Sequence, residues 1–196
     1  NADYDGDEMN IFLPQHVQTR TELEKIANVK YQIVGAKQSE PIIGCQQDAV
    51  TGSYLISLND RVFNSEDVCF LLSNTESVNL GNINKNKEYR GRDIFSEIIP
   101  SGINSLEKSN GKVKFQVKDG KFIEGILNKS KVADKKNSLI HYVWDKKGGE
   151  ITRKFIDDIQ KLALNYLLLE GFSVGFGDCF IDRKLMDDIR EQIKDK

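Results

Sequence analysis

An α+β fold is predicted for this 196-residue chain, and three stretches carry the prediction. From Lys112 to Lys118 polar residues alternate with Val113, Phe115 and Val117. Asp119-Gly120 then supplies the preferred two-residue turn before Lys121 to Leu127, so a β-hairpin is expected. Ile151, Phe155, Ile159, Leu162, Tyr166 and Leu169 recur at helical spacing, with Gly171 just past the end as a C-cap. Arg183 to Lys196 repeats that pattern with Leu185, Met186, Ile189 and Ile193.

The other elements follow in chain order. Ile11 to Pro14 ends an extended segment, and Thr19-x-x-Glu22 has the spacing of a capping box ahead of Leu23, Ile26 and Ala27, which predicts a short helix. Tyr31 to Val34 reads as a strand and Gln46 to Ser57 as a helix. Asn64 or Ser65 caps a further helix through Leu72, whereas Asn74 to Lys87, rich in Asn, Gly and Ser, is a loop.

Composition narrows the class. With 39% hydrophobic and 30% charged residues the chain is an ordinary globular sequence, long enough for one or two cores. The longest apolar cluster, Leu162 to Leu169, is broken by Asn165 and too short for a bilayer, and the N-terminus lacks a basic-then-apolar signal, so no membrane partner is expected. Cys45, Cys69 and Cys179 are far apart and form no Cys-x-x-Cys pair. A zinc site built from this chain alone is therefore not expected, and a reducing intracellular compartment is. His16 and His141 read as ordinary surface or half-buried residues.

A net charge of −2 does not advertise nucleic-acid binding, yet nine lysines fall between Lys108 and Lys136. They form either a solvated hairpin face or a lining for incoming nucleotides or exiting RNA.

The first ten residues, NADYDGDEMN, place Asp3, Asp5 and Asp7 at alternate positions, with Gly6 between the last two. Like charges about 4 Å apart repel by roughly 4 kcal/mol per pair in a surface-like dielectric, so such a run calls for a compensating cation. The all-oxygen set suits Mg²⁺, which commonly shares its remaining positions with substrate phosphates. Gly6 would let the chain turn so that Asp5 and Asp7 converge with Asp3. An Asx- and Gly-rich surface turn is the alternative. A calcium loop of the EF-hand kind fails on spacing: counted from Asp3, the Gly and bidentate Glu positions hold Glu8 and Pro14. Glu8 alternates away from the three aspartates.

This loop resembles the metal-binding signature of the largest subunit of multisubunit DNA-directed RNA polymerases, with Tyr4 where Phe is usual. Three further landmarks extend the likeness in the family's order. In SEPIIGCQQDAVTGSYLIS, Pro41, Gly44, Gln47, Asp48 and Gly52 stand in the expected places; RGRDIFSEIIP, Arg90 to Pro100, and GFSVGFGD, Gly171 to Asp178, follow. The Glu-Met-Asn after Asp7 and the Gly-Cys-Gln-Gln-Asp wording are similar to the archaeal, eukaryotic or large-DNA-virus branch.

The resemblance implies the following. Residues 1–38 close a double-psi β-barrel with its metal loop, 39–178 form a pore domain, and 179–196 begin the funnel helices. Asp3, Asp5 and Asp7 hold one Mg²⁺ against the RNA 3′ end, and a second Mg²⁺ arrives with the nucleoside triphosphate in a two-metal transfer of ribonucleotides. Asn1 binds the NTP ribose. Gln47 and Asp48 serve as helix-start and packing residues. Partners are the second-largest subunit and other polymerase subunits, template DNA, nascent RNA and NTPs. The compartment is the nucleus for a cellular eukaryote, and the cytoplasm, virus particle or virus factory otherwise. Starting at the motif without a methionine, the chain is expected to be a piece of a larger polypeptide, inactive alone. Two other classes compete: a non-catalytic pore-domain interaction module whose metal loop is disordered, and an unrelated Asp-x-Asp metal-dependent transferase, against which the three further landmarks argue.

Overall fold

The computed structural model describes residues 3–58, 61–109, 112–180 and 183–194. Residues 3–15 form no helix or strand, and Ile11, Phe12 and Leu13 are exposed along them. The extended segment expected to close a barrel therefore has no pairing strand among the described residues.

The first helix, α1 (Val17–Glu22), continues as a π turn (Leu23–Ala27) and a 3-10 turn (Val29–Tyr31). A helix is present where the periodicity placed it, but the capping box is not formed. His16 is the extended boundary residue (φ −83°, ψ 140°), which leaves Thr19 inside the helix. The Asn28 side chain instead accepts from the Lys30 N–H at the start of the 3-10 turn. That turn takes up Tyr31, so the strand expected from Tyr31 shrinks to β1 (Val34–Gly35), antiparallel to β2 (Glu40–Pro41).

Helix α2 (Asp48–Leu58) begins two residues later than predicted, because Gln47 lies in the left-handed region (φ 46°). After β3 (Val62–Phe63), α3 (Ser65–Leu72) is capped as expected: Asn64 accepts from the Asp67 N–H at 2.8 Å. The loop from Asn74 contains one 3-10 turn (Leu80–Asn82) and ends in β4 (Tyr89–Arg90), which pairs with β3.

Helix α4 (Gly91–Ile98) follows, its first turn fixed by Asp93, whose carboxylate accepts from the Arg90 N–H at 2.9 Å. The hairpin forms around the predicted turn, though its second strand stops short of Leu127 where Gly125 turns to φ 118°: β6 (Lys112–Lys118) and β7 (Lys121–Glu124) flank Asp119 (φ 50°) and Gly120 (φ 76°), both left-handed as a tight hairpin turn requires. A third strand precedes it, β5 (Ser105–Ser109), giving the antiparallel order β5-β6-β7. Then come α5 (Lys129–Val132), α6 (Leu139–Lys147) with Ser138 as its N-cap, α7 (Gly149–Glu170) ending at Gly171 (φ 73°), and α8 (Arg183–Lys194).

The long helix α7 is the spine. Phe155, Ile159, Leu162 and Tyr166 are buried on the face that meets α2, α3 and α6, while Ile151 and Leu169 at its two ends stay partly exposed. Two polar groups are buried with that stripe. The Asp158 carboxylate accepts from the Glu76 and Ser77 N–H groups (2.7 and 3.1 Å), and the Asn165 amide donates to the Phe70 and Leu71 carbonyls. Each thereby ties α7 to backbone groups at the end of α3 and in the loop after it, and the Phe70 carbonyl also accepts from the Ser73 N–H.

The sheet packs Phe115, Val117 and Phe122 inward, with Phe122 edge-on to Phe95 of α4 (6.2 Å). Two serines latch these layers. Ser96 Oγ accepts from the Phe122 N–H, and Ser57 Oγ accepts from the Leu127 N–H, each at 2.9 Å. No helix among the described residues is long and apolar enough to cross a membrane.

Candidate metal centre

Residues 3–7 build the acidic loop from local forces alone. The Asp3 carboxylate accepts from the Asp5 N–H (3.2 Å), and Gly6 adopts φ +117°, a conformation closed to side-chain-bearing residues in practice. A Cβ at Gly6 would meet nothing within 4 Å, so its backbone freedom matters there and space does not.

One carboxylate oxygen from each of Asp3, Asp5 and Asp7 lies within 4.8 Å of the others. This is the one such group of three among the described residues, and Glu8 is not in it. All three side chains are exposed. Two oxygens bound to one Mg²⁺ at 2.0–2.1 Å are at most about 4.2 Å apart, so the three side chains would draw in to hold the ion. The donor chemistry fits: three anionic oxygens and no nitrogen or sulfur select a hard cation. Asn1 lies outside the described residues.

In two of the other sequence landmarks the glycines turn out to be packing positions. A Cβ on Gly44 would come 2.4 Å from the Asp134 N, one on Gly52 would come 2.5 Å from the Ala163 carbonyl oxygen, and one on Gly91 would come 1.9 Å from that of Ile56. Gln47 and Asp48 stand at the start of α2, as expected, with the Gln47 carbonyl accepting from the Thr51 N–H, but both residues are exposed and do not pack as expected. Around Gly171 to Asp178 the chain is exposed. There Asp178 accepts from the Gly175 N–H (2.8 Å), and Phe176 meets Phe180 edge-on at 4.8 Å.

The loop's side chains rest on no other element, so affinity in the isolated chain will be weak. Calorimetry with Mg²⁺ should give a dissociation constant no tighter than roughly millimolar, as for weakly organised oxygen sites. Sub-micromolar binding that disappears in Asp5→Ala would show the loop to be preorganised.

An α+β body preceded by a three-aspartate loop matches one family in both parts. The family model described as RNA polymerase Rpb1, domain 3, matches residues 32–179, and that of RNA polymerase Rpb1, domain 2, matches residues 1–29. The chain belongs to the RNA polymerase Rpb1, or largest-subunit, family. It is similar to DNA-directed RNA polymerase subunit 1 of Acanthamoeba polyphaga mimivirus, 35% identical over 198 residues that cover 100% of this chain and 13% of the relative. Subunit Rpo1N of Thermoplasma acidophilum is 30% identical over 98% of the chain and 24% of the relative; that of Methanocaldococcus jannaschii is 29% identical over 100% and 16%. The chain thus spans between 13% and 24% of the length of these relatives.

Proposed function

We propose that this chain is the metal-loop and pore segment of a DNA-directed RNA polymerase largest subunit, and that Asp3, Asp5 and Asp7 hold the catalytic Mg²⁺ of the assembled enzyme. The observation that carries the reading is the convergence of the three carboxylates to within 4.8 Å in a chain of this family. Mg²⁺ bound there, with a second ion brought by the NTP, supplies activation of the RNA 3′-oxygen and charge neutralisation on the leaving pyrophosphate. The residues themselves position: three short carboxylates on five consecutive residues fix the bound ion against the chain, and no protein base is required of them. Asn1, whose amide both donates and accepts, is assigned to the ribose hydroxyls of the incoming nucleotide.

In this reading residues 1–38 complete a double-psi barrel with strands supplied by the rest of the subunit. That barrel also covers Ile11, Phe12 and Leu13, which are 99%, 84% and 85% exposed in this chain. Residues 39–178 form the pore domain and 179–196 open the funnel. The second-largest and other subunits, template DNA, nascent RNA and NTPs are the partners, in an intracellular setting. By itself the chain is a folded scaffold with an unsupported loop, and it is inactive.

The test places Fe²⁺ in the assembled polymerase in place of Mg²⁺. With ascorbate and peroxide, hydroxyl radicals released at the bound ion should cut the subunit backbone beside residues 3–7 and cut the RNA at its 3′ end. Cuts that leave that loop intact would overturn the assignment.

A further inference from the structure

We propose that Gly149, the first residue of α7, is a positioning residue for nucleotide addition: it seats the segment that carries the acidic loop directly on the body of the chain. The inference rests on the reading that Asp3, Asp5 and Asp7 hold the catalytic ion. Residues 15–29 are exposed throughout, and the first half-buried residue after them is Lys30, in the 3-10 turn Val29–Tyr31. That turn lies against α7. Lys30 and Tyr31 are also the two residues between the stretches matched by the two family models. The turn is therefore where the loop-bearing segment comes to rest on the body.

The contact is backbone on backbone. A Cβ on Gly149 would stand 2.0 Å from the Lys30 carbonyl oxygen and 2.9 Å from Cζ3 of Trp144, the chain's one tryptophan. A residue with a side chain cannot come this close. Beside it Lys30 Nζ donates to the Glu150 carboxylate at 3.3 Å, and Arg153 holds the other oxygen of that carboxylate at 3.3 Å. One partner of the joint cannot yield: Thr152 and Phe155, in the next turns of α7, are at most 1% exposed. The other is exposed and can. A side chain at position 149 therefore moves the Val29–Tyr31 turn outward by about 1 Å or more. Only residues 8–16 separate α1 from the acidic loop, and a close-packed backbone contact passes such a shift on where a long side chain would absorb it. Misplacing reacting groups by about 1 Å costs up to about 10²-fold in rate.

The test compares Gly149→Ala with the parent in two settings. In the full 196-residue chain, acrylamide should quench Trp144 more strongly in the variant. Trypsin should cut after Lys25 and Lys30 at least about fivefold faster, because the turn is lifted off α7. In the assembled polymerase, quench-flow extension by one nucleotide should show the parent's amplitude and an NTP KM within about twofold of the parent's. The maximal rate should be at least about tenfold lower, and excess Mg²⁺ should not restore it. Lys30→Glu, which sets like charges against each other at the joint and leaves the core untouched, should slow the same step by about twofold or more. A purely structural role would lower the amplitude and leave the rate of each active complex unchanged, and that result overturns the proposal. A smaller loss of rate in Gly149→Ala while Asp5→Ala is inactive overturns it too, with the metal reading intact. If Asp5→Ala retains the parent's rate, the metal reading falls and this inference with it.

Discussion

Gly52→Val will destabilise the chain by about 4 kcal/mol, a large part of the 5–15 kcal/mol that typically holds a domain together. Gly52 lies in the middle of α2 at its crossing with α7, where a Cβ would stand 2.5 Å from the Ala163 carbonyl oxygen and 2.9 Å from the Ala163 Cβ. The nearest atom is backbone in the longest helix, so relief requires the two helices to part. Separation would loosen Ile56 of α2 and Leu162 of α7, both at most 1% exposed. Overpacking of this kind costs about 1–3 kcal/mol when side chains give way, and more when only backbone can. The better helix propensity of valine returns only about 0.4 kcal/mol. Thermal unfolding should fall by roughly 10 °C, at about 2–4 °C per kcal/mol for a chain of this size. Gly177→Ala, where an added Cβ meets nothing within 4 Å, serves as the matched control and should leave the midpoint within a degree or two. A Gly52→Val midpoint equal to that of the control would show that α2 and α7 are not held at this distance.

The same crossing shows which features the sequence discloses and which it does not. The hairpin around Asp119-Gly120 and the stripe on α7 are legible because their determinants are local: an alternation, a turn pair, a 3.6-residue repeat. Strand β5 is not, since its pattern runs against burial: Ser105 is buried while Leu106 is 55% exposed. Its inner face is completed by residues of β6 that follow it. Helices α4 and α6 passed unread although Ile94, Phe95 and Ile98 in one and Leu139, Ile140 and Val143 in the other are buried at helical spacing; both are short, and one or two turns of repeat are weak evidence. Thr19-x-x-Glu22 misled for the opposite reason, a correct local motif overruled by a boundary at His16.

The candidate metal site was readable because three ligands sit on five consecutive residues. The pocket where Tyr54, Lys114, Asn128 and Lys131 meet was not, because those residues come together only through the packing of α2, the sheet and α5.

In the assembled polymerase, Asp5→Ala will slow addition of a single nucleotide by at least about 10³-fold while leaving the fold unchanged. The two halves of this expectation have separate causes. Asp5 is exposed and its side chain touches no other element; the bond that shapes the loop runs from its backbone N–H to the Asp3 carboxylate and survives the substitution. Removing one of three mutually repelling charges relieves the loop, so stability should stay within about 0.5 kcal/mol of the parent. Asp3→Ala would also remove that backbone acceptor, which makes Asp5 the cleaner probe.

The rate falls because two carboxylates hold a divalent ion less firmly and in a less defined place than three. A metal that stabilises transition-state charge by several kcal/mol accounts for a factor of at least about 10³ at 1.36 kcal/mol per tenfold. Quench-flow measurement of one-nucleotide extension across a series of Mg²⁺ concentrations separates the two contributions. Rescue at high Mg²⁺ would assign the loss to metal affinity, and a rate that plateaus far below the parent's would assign it to misplacement of the ion. Asp5→Glu retains the charge and displaces the oxygen by one methylene, so it should bind metal better than Asp5→Ala and still plateau low. An Asp5→Ala rate within tenfold of the parent at the parent's Mg²⁺ optimum would remove Asp5 from the metal centre.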